Sequence, residues 1–190
     1  MPSKKRKSNV QKYQDKACNY LCNIFGQENV KKEWDVAKDS QDALTRKLYC
    51  PRLDIAVGPF NTDGNVQNNI DRIKNIVTAK RDFIDNILQL SEPPLTDIDS
   101  FLQLKNKNPR CFLAIEIEKS GSRKHMLGDI ANVSILGSIG IVVPFNDKKL
   151  NAFKRIKKYV DFAARVGKSS AVFRNVLIIK KEKFLRAISI

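Results

Sequence analysis

The sequence is poor in the residues that build thiolate, disulfide or histidine-based sites. Its 190 residues include four cysteines, one histidine and one tryptophan. The cysteines form neither paired C-x-x-C motifs nor the framework of a disulfide-rich domain, which excludes zinc ribbons and small secreted scaffolds. Cys18 and Cys22 lie four residues apart in a predicted helix, and we interpret them as small core residues.

Long apolar runs are lacking as well. No stretch approaches the ~18 residues that a membrane-spanning helix needs, and the segment MPSKKRKSN has no apolar core of a signal peptide. We therefore expect a cytoplasmic or nuclear protein that does not enter a membrane. A chain of this length can bury a core without disulfides. We expect a disordered basic tail over 1–9 and a single domain over 10–190.

Acidic residues are scarce relative to basic ones. There are 20 Asp and Glu against 35 Lys and Arg, which gives a net charge of +15. Thirteen of the basic residues, with only two acidic ones, fall between positions 148 and 190. Such an excess favours a polyanionic partner, either nucleic acid or an acidic membrane surface. A predicted amphipathic helix there carries Lys154, Arg155 and Lys158 on its polar face, and we expect these side chains to contact phosphates.

Two of the few acidic residues nevertheless lie in an apolar strand. Within the sequence CFLAIEIE, the aliphatic residues Leu113, Ile115 and Ile117 alternate with Ala114, Glu116 and Glu118. Both glutamates therefore share one face of the strand. Burial of an unpaired carboxylate is costly unless a positive group compensates it. A divalent metal ion is one such group, and in a strongly basic chain it suggests phosphodiester chemistry.

A second strand carries an acid in the same way. Leu53, Ile55 and Val57 alternate with Asp54 and two small residues between Pro51 and Pro59. If the two strands are neighbours, Asp54, Glu116 and Glu118 converge and offer oxygen ligands suited to Mg²⁺. The periodicity further predicts helices near 10–26, 66–88, 98–104, 125–136 and 150–165, and strands near 139–143 and 173–179. This order indicates an α/β protein with a central mixed sheet flanked by helices.

These pieces resemble the PD-(D/E)xK nuclease superfamily. The matching parts are PRLD with Asp54, the E-I-E segment with Glu116 and Glu118, the helix from His125 and the strand near 139–143. The resemblance implies a restriction-endonuclease-like core and a Mg²⁺-dependent DNA endonuclease, such as a sequence-specific type II restriction enzyme. It also implies metal ligation by Asp54 and Glu116, substitution by Mn²⁺, double-stranded DNA as partner and a homodimer. Arg123, Lys154, Arg155 and Lys158 are then the expected DNA contacts.

The sequence departs from that pattern in two ways. The position expected to hold lysine is Glu118, as in an E-x-E version of the motif; alternatively Lys119 or Lys124 supplies the cation, although strand alternation points Lys119 to the other face. In addition, Asp54 and Glu116 lie 62 residues apart, which requires a helical insertion at about 62–108. His125 is interpreted as a helix-start residue or phosphate contact rather than a general base.

Other interpretations remain open. The E-x-E strand can be an exposed sheet face whose glutamates pair with Arg52 or Arg123. The chain can also be a non-catalytic nucleic-acid-binding protein of the same fold, or a metal-dependent RNase. Glu33, beside the single tryptophan Trp34, is a further candidate acid from the N-terminal region.

Overall fold

A five-stranded mixed sheet forms the centre of the part of the chain that the structure describes. The computed structural model describes residues 7–36, 51–61, 65–103, 106, 108–170 and 173–189. The strands follow the chain order across the sheet: β1 (Val30–Asp35), β2 (Arg52–Val57), β3 (Cys111–Glu118), β4 (Gly137–Pro144) and β5 (Val176–Ile178). The pairs β1–β2 and β2–β3 are antiparallel, whereas the pairs β3–β4 and β4–β5 are parallel. The predicted α/β class with a mixed sheet is confirmed.

Helices cover both faces of this sheet. They are α1 (Asn9–Phe25), α2 (Val66–Ala79), α3 (Arg81–Gln89), α4 (Ile98–Gln103), α5 (Arg123–Leu136), α6 (Asp147–Arg165) and α7 (Lys181–Ile188). Several begin at a side-chain cap, since Ser8 forms a capping box with Gln11 and Asn146 accepts from the Lys149 N–H at 3.0 Å. In the described residues, no helix is long and apolar enough to cross a membrane.

Strand alternation divides the core into two apolar layers. Ile55, Leu113 and Ile115 face a layer completed by side chains of α1, α2, α3 and α7. Ala56 and Ala114 face the opposite layer, which is completed by side chains of α5 and α6. Since Glu116 and Glu118 continue the row of Ala114, they lie on the side of the sheet that α5 and α6 cover.

Helix α5 packs very close to the sheet at Gly140. A Cβ atom at this position would lie 2.8 Å from Cγ2 of Val133 and 2.9 Å from its backbone carbonyl. These separations are shorter than real side-chain contacts, so only glycine allows α5 to approach β4 this closely. The approach holds Asp129 and Asn132, both on α5, near the acidic end of β3.

The structure corrects several predicted elements. The polar segment 27–36 has no periodicity that predicts an element, yet it contains the edge strand β1, whose burial pattern shows no clear alternation. The long helix predicted over 66–88 is divided at Lys80 into α2 and α3. The predicted last strand shortens to Val176–Ile178, and the basic segment after it forms α7. The sequence also predicts a short helix near 42–47; this segment, Cys50 and most of the predicted tail lie outside the described residues.

Candidate active site

The acidic residues meet where β2 and β3 separate. Ladder pairing between these strands covers only Ile55–Val57 of β2 and Leu113–Ile115 of β3, although each strand continues beyond it. Asp54 and Glu116 are the next residues, and the register places them opposite each other. Oδ2 of Asp54 accepts a hydrogen bond from the Ile117 N–H at 2.7 Å. A side chain thus replaces the backbone acceptor that a continued ladder would have supplied.

Asp54 and Glu116 form a buried carboxyl pair. Their side chains lie within hydrogen-bonding reach of each other. Burial and the nearby charge of Asp54 raise the pKa of Glu116 to about 9, while a hydrogen bond from Asn132 opposes this shift. Burial also raises the pKa of Asp54. The pair therefore retains a shared proton at neutral pH unless a cation replaces it.

Burial of β3 rules out the interpretation of the E-x-E segment as an exposed sheet face. Every residue of the strand except Glu118 is buried, and Glu116 is 8% exposed. Arg52 does not pair with either glutamate of β3, since its Nε lies 3.2 Å from Oε2 of Glu33. The free-energy cost of burying Glu116 and Glu118 must therefore be offset by other neighbouring groups.

A third acid approaches from α5. Burial and the charges of Glu118 and Asp54 raise the pKa of Asp129 to about 7, and its side chain also hydrogen-bonds with Glu118. The apolar spacing of the α5 sequence predicts that Leu127, Ile130 and Val133 face the core. Instead Met126 takes the first core position, and Leu127 is 43% exposed. The sequence patterns do not mark Asp129 as a member of the site.

Glu33 joins the site from β1. Gln14 of α1 is buried, and its Nε2 donates to Oε1 of Glu33 at 2.9 Å and to the Asp54 carbonyl at 2.8 Å. Glu33 has φ of 51°, a left-handed conformation that is uncommon for a residue with a side chain. Strained residues of this kind concentrate at functional sites. The charge of Glu33 contributes to the raised pKa of Asp54.

Glu118 occupies the position where the motif expects lysine, and a lysine of α6 lies beside it. Lys149 Nζ lies 4.0 Å from Oε1 of Glu118, and the two side chains are only 13% and 11% exposed. Lys149 also donates to the carbonyl of Gly121, whose N–H donates to Glu118. Lys119 and Lys124, the two lysines that the motif predicts as alternatives, are both exposed.

A basic cavity adjoins Lys149. It has a volume of about 530 Å³ and is lined by the loop 120–122 and by Arg123, Lys148, Lys149 and Arg155, with no acidic side chain among the described residues that line it. Ser122 caps the N-terminus of α5 here and accepts from the His125 N–H. Cations beside free N–H groups of a helix start attract phosphate.

The predicted DNA contacts do not form one patch. Arg123 and Arg155 line the basic cavity. Lys154 points elsewhere, since its Nζ lies 2.8 Å from Oε2 of Glu92. Lys158 is exposed on the outer side of α6. A larger cavity of about 770 Å³ lies between 91–101 and the second half of α6, and none of the clustered acids lines it.

The donor set suits one kind of metal ion. No three His, Cys, Asp or Glu side chains of the described ranges form an arrangement ready to hold a metal. The convergent set is the pair Asp54 and Glu116, and it contains oxygen donors only. Mg²⁺ is commonly held by one or two carboxylates together with waters and substrate phosphates, whereas a structural zinc site needs four nitrogen or sulfur donors. The pair therefore fits Mg²⁺ or Mn²⁺.

Comparisons with known proteins give no relative. No family model, no curated protein and no solved structure matches this chain.

Proposed function

We propose that the protein is a metal-dependent nuclease that hydrolyses phosphodiester bonds in DNA, with a site like that of the PD-(D/E)xK superfamily. The observation that carries the proposal is the buried carboxyl pair of Asp54 and Glu116 at the point where β2 and β3 separate. Folding keeps two carboxyls together there at a cost in stability, in a chain with 15 excess positive charges. That combination favours a cation and a polyanion as ligands.

The pair Asp54 and Glu116 would hold Mg²⁺ or Mn²⁺. When bound, such an ion supplies an activated water and stabilises charge on the leaving oxygen. The protein contributes the fixed positions of the two acids, since the Ile117 N–H orients Asp54 and Asn132 orients Glu116. Gln14 keeps Glu33 beside them.

Lys149 and Glu118 would act on the substrate side of the pair. A buried ammonium beside the cavity is placed to neutralise charge on a phosphate and to orient it. Glu118 holds Lys149 in place and lies within hydrogen-bonding reach of Asp129, whose pKa of about 7 lets it titrate near neutral pH. Arg123, Lys148 and Arg155 would bind neighbouring phosphates of the strand.

One observation favours a second candidate, a non-catalytic nucleic-acid-binding protein. A buried carboxyl pair that shares a proton is a complete hydrogen-bonded unit without any metal, and three ready metal ligands are not found in the described part of the chain. In that case the basic surface would bind DNA or RNA, and the acids would only connect β2 to β3. A metal-dependent RNase would use the same site on another substrate.

Cleavage of plasmid DNA separates these candidates. We expect nicking or linearisation of mixed-sequence plasmid with Mg²⁺ or Mn²⁺, and none after chelation with EDTA. Asp54→Asn and Glu116→Gln should each abolish cutting while DNA binding persists, because the amides keep the shape of the site but lose the charge. Asp82→Asn, the same chemical change at an exposed position of α3, should cut like the wild type.

Each result of the cleavage experiment supports a different candidate function. Discrete fragments would indicate a sequence-specific enzyme, and a smear a non-specific one. Cutting of RNA alone would identify the RNase. If DNA and RNA are bound but neither is cut with either metal, or if both site variants retain wild-type activity, the proposed mechanism is wrong.

A further inference from the structure

The outer face of α6 exposes aromatic side chains that the core does not need. Tyr159 is 70% exposed, Phe162 is 51% exposed and Val166, next to the helix end, is 49% exposed. The core contacts of the helix lie on its other side, at Leu150, Phe153 and Val160. At about 100° per residue, Arg155, Tyr159 and Phe162 fall within ~60° of one another around the helix. They therefore form one exposed row.

This row lies among uncompensated positive charges. Lys148, Arg155, Lys158 and Arg165 are all exposed, and within the described part of the chain none of them pairs with an acid. The two acids of the helix are already engaged, since Asp161 lies 3.8 Å from Lys157 and Asp147 lies 2.6 Å from Lys180. The outer face of α6 thus carries exposed aromatic rings next to positively charged side chains.

The same row leads to the candidate active site. Arg155 lines the basic cavity, which Lys149 connects to Glu118. With a helical rise of 1.5 Å per residue, Phe162 lies about 10 Å along the axis from Arg155. This length matches about three stacked nucleotides at ~3.4 Å each.

We propose that the outer face of α6 binds unpaired nucleotides, whose bases stack on Tyr159 and Phe162 while their phosphates contact Arg155 and Lys158. A second copy of the chain is a poorer occupant, because a two-fold contact would place this positively charged face against the same face of the copy, with Arg155, Lys158 and Arg165 on both sides. In so far as the proposed nuclease function holds, its substrates then include nucleic acid with a single-stranded segment beside the scissile bond.

Binding without cleavage tests the proposal. Fluorescence anisotropy in EDTA would compare a labelled 12-nucleotide oligo(dT) with a blunt 12-base-pair duplex at one ionic strength. For the double variant Tyr159→Ser/Phe162→Ser we expect a 10- to 100-fold loss of oligo(dT) affinity, because base–aromatic stacking is removed. Duplex affinity should change less than twofold. Tyr159→Phe keeps the ring and should bind like the wild type, as should Val66→Ser, which alters a remote exposed apolar residue of α2.

The outcomes distinguish this proposal from the nuclease proposal. Wild-type affinity in the double variant, or no oligo(dT) binding by the wild type, would overturn the stacking face. So would sedimentation that shows a wild-type dimer and a monomeric double variant, because the face would then be an interface between copies. A selective loss of oligo(dT) binding supports the stacking face even if plasmid is never cut, and in that case only the nuclease proposal fails.

Discussion

The ammonium of Lys149 lies 4.0 Å from the Glu118 carboxylate, with both side chains almost fully buried. Lys149 belongs to the first turn of α6, and it reaches the end of β3 through the carbonyl of Gly121. An ion pair in such surroundings is weakly screened and holds its geometry well. It therefore places a fixed positive charge between Glu118 and the basic cavity.

Removal of this charge should impair catalysis more than binding. For Lys149→Met we expect a loss of about 10²–10³-fold in cleavage rate, the usual effect of removing one preorganised stabilising group. Overall DNA affinity should fall only a few-fold, because other cations remain. Lys119→Met and Lys124→Met change exposed lysines and serve as matched controls. Single-turnover rates at saturating protein measure the effect, and a larger loss in either control than in Lys149→Met would contradict the assignment.

Sequence patterns predict the strands that carry Asp54 and Glu116, because alternation over β2 and β3 is strong. They do not identify Gln14, Asp129 or Lys149, although all three share one signal. Each is a polar residue in line with the apolar row of its helix: Gln14 precedes Ala17 and Leu21, Asp129 precedes Val133 and Leu136, and Lys149 precedes Phe153 and Ile156 at helical spacing. Which strand end each helix covers does not follow from the sequence, since it depends on packing such as the approach at Gly140.

The metal-free protein should lose stability as pH rises. Glu116 has its pKa raised from 4.5 to about 9 and Asp129 from 3.8 to about 7, so the folded state holds more protons than the unfolded state between these values. The corresponding stability is complete below about pH 4 and is lost as pH rises through 7 to 9. Urea unfolding in EDTA should show Glu116→Gln to be more stable than the wild type at pH 9, on the order of 3 kcal/mol, and similar at pH 5. Equal pH profiles for both proteins would contradict the shared proton.

Bound Mg²⁺ should restore the stability that the metal-free protein loses at high pH. If Asp54 and Glu116 hold the ion, it binds only the folded state and adds about 2.7 kcal/mol at 100 times its dissociation constant. For a chain of this size we expect the melting temperature at pH 8 to rise by about 5–10 °C. The rise should be smaller at pH 6, where the shared proton competes, and should vanish in Asp54→Asn. NaCl of equal ionic strength is the control, and an equal rise with NaCl would indicate general screening instead.

Alanine substitution should have opposite effects on stability at two glycines, one crowded between α5 and β4 and one in open space on α5. Gly140→Ala places a Cβ 2.8 Å from Val133 and should destabilise the fold by about 1–3 kcal/mol through overpacking. Gly128→Ala, within α5 and with nothing within 4 Å of its added Cβ, should stabilise by about 0.5–1 kcal/mol through helix propensity. Urea unfolding at pH 6 measures both. A neutral Gly140→Ala would show that α5 can move away from β4 at little cost.

The salt dependence of DNA binding should separate the cations of α6 that line the cavity from those that do not. Arg155 lines the basic cavity without an acidic partner in the described residues, whereas Lys154 is held 2.8 Å from Glu92. For duplex DNA, each cation that no longer neutralises a phosphate lowers the slope of log K against log[salt] by about 1. We therefore expect Arg155→Gln and Arg123→Gln each to reduce the slope by about 1, and Lys154→Gln to leave it nearly unchanged.

Anisotropy titrations in EDTA from about 50 to 200 mM salt give these slopes without cleavage. A reduction in Lys154→Gln alone would place the DNA on the Glu92 side of α6, away from the carboxylates, and so argue against the cavity as the path of the substrate strand.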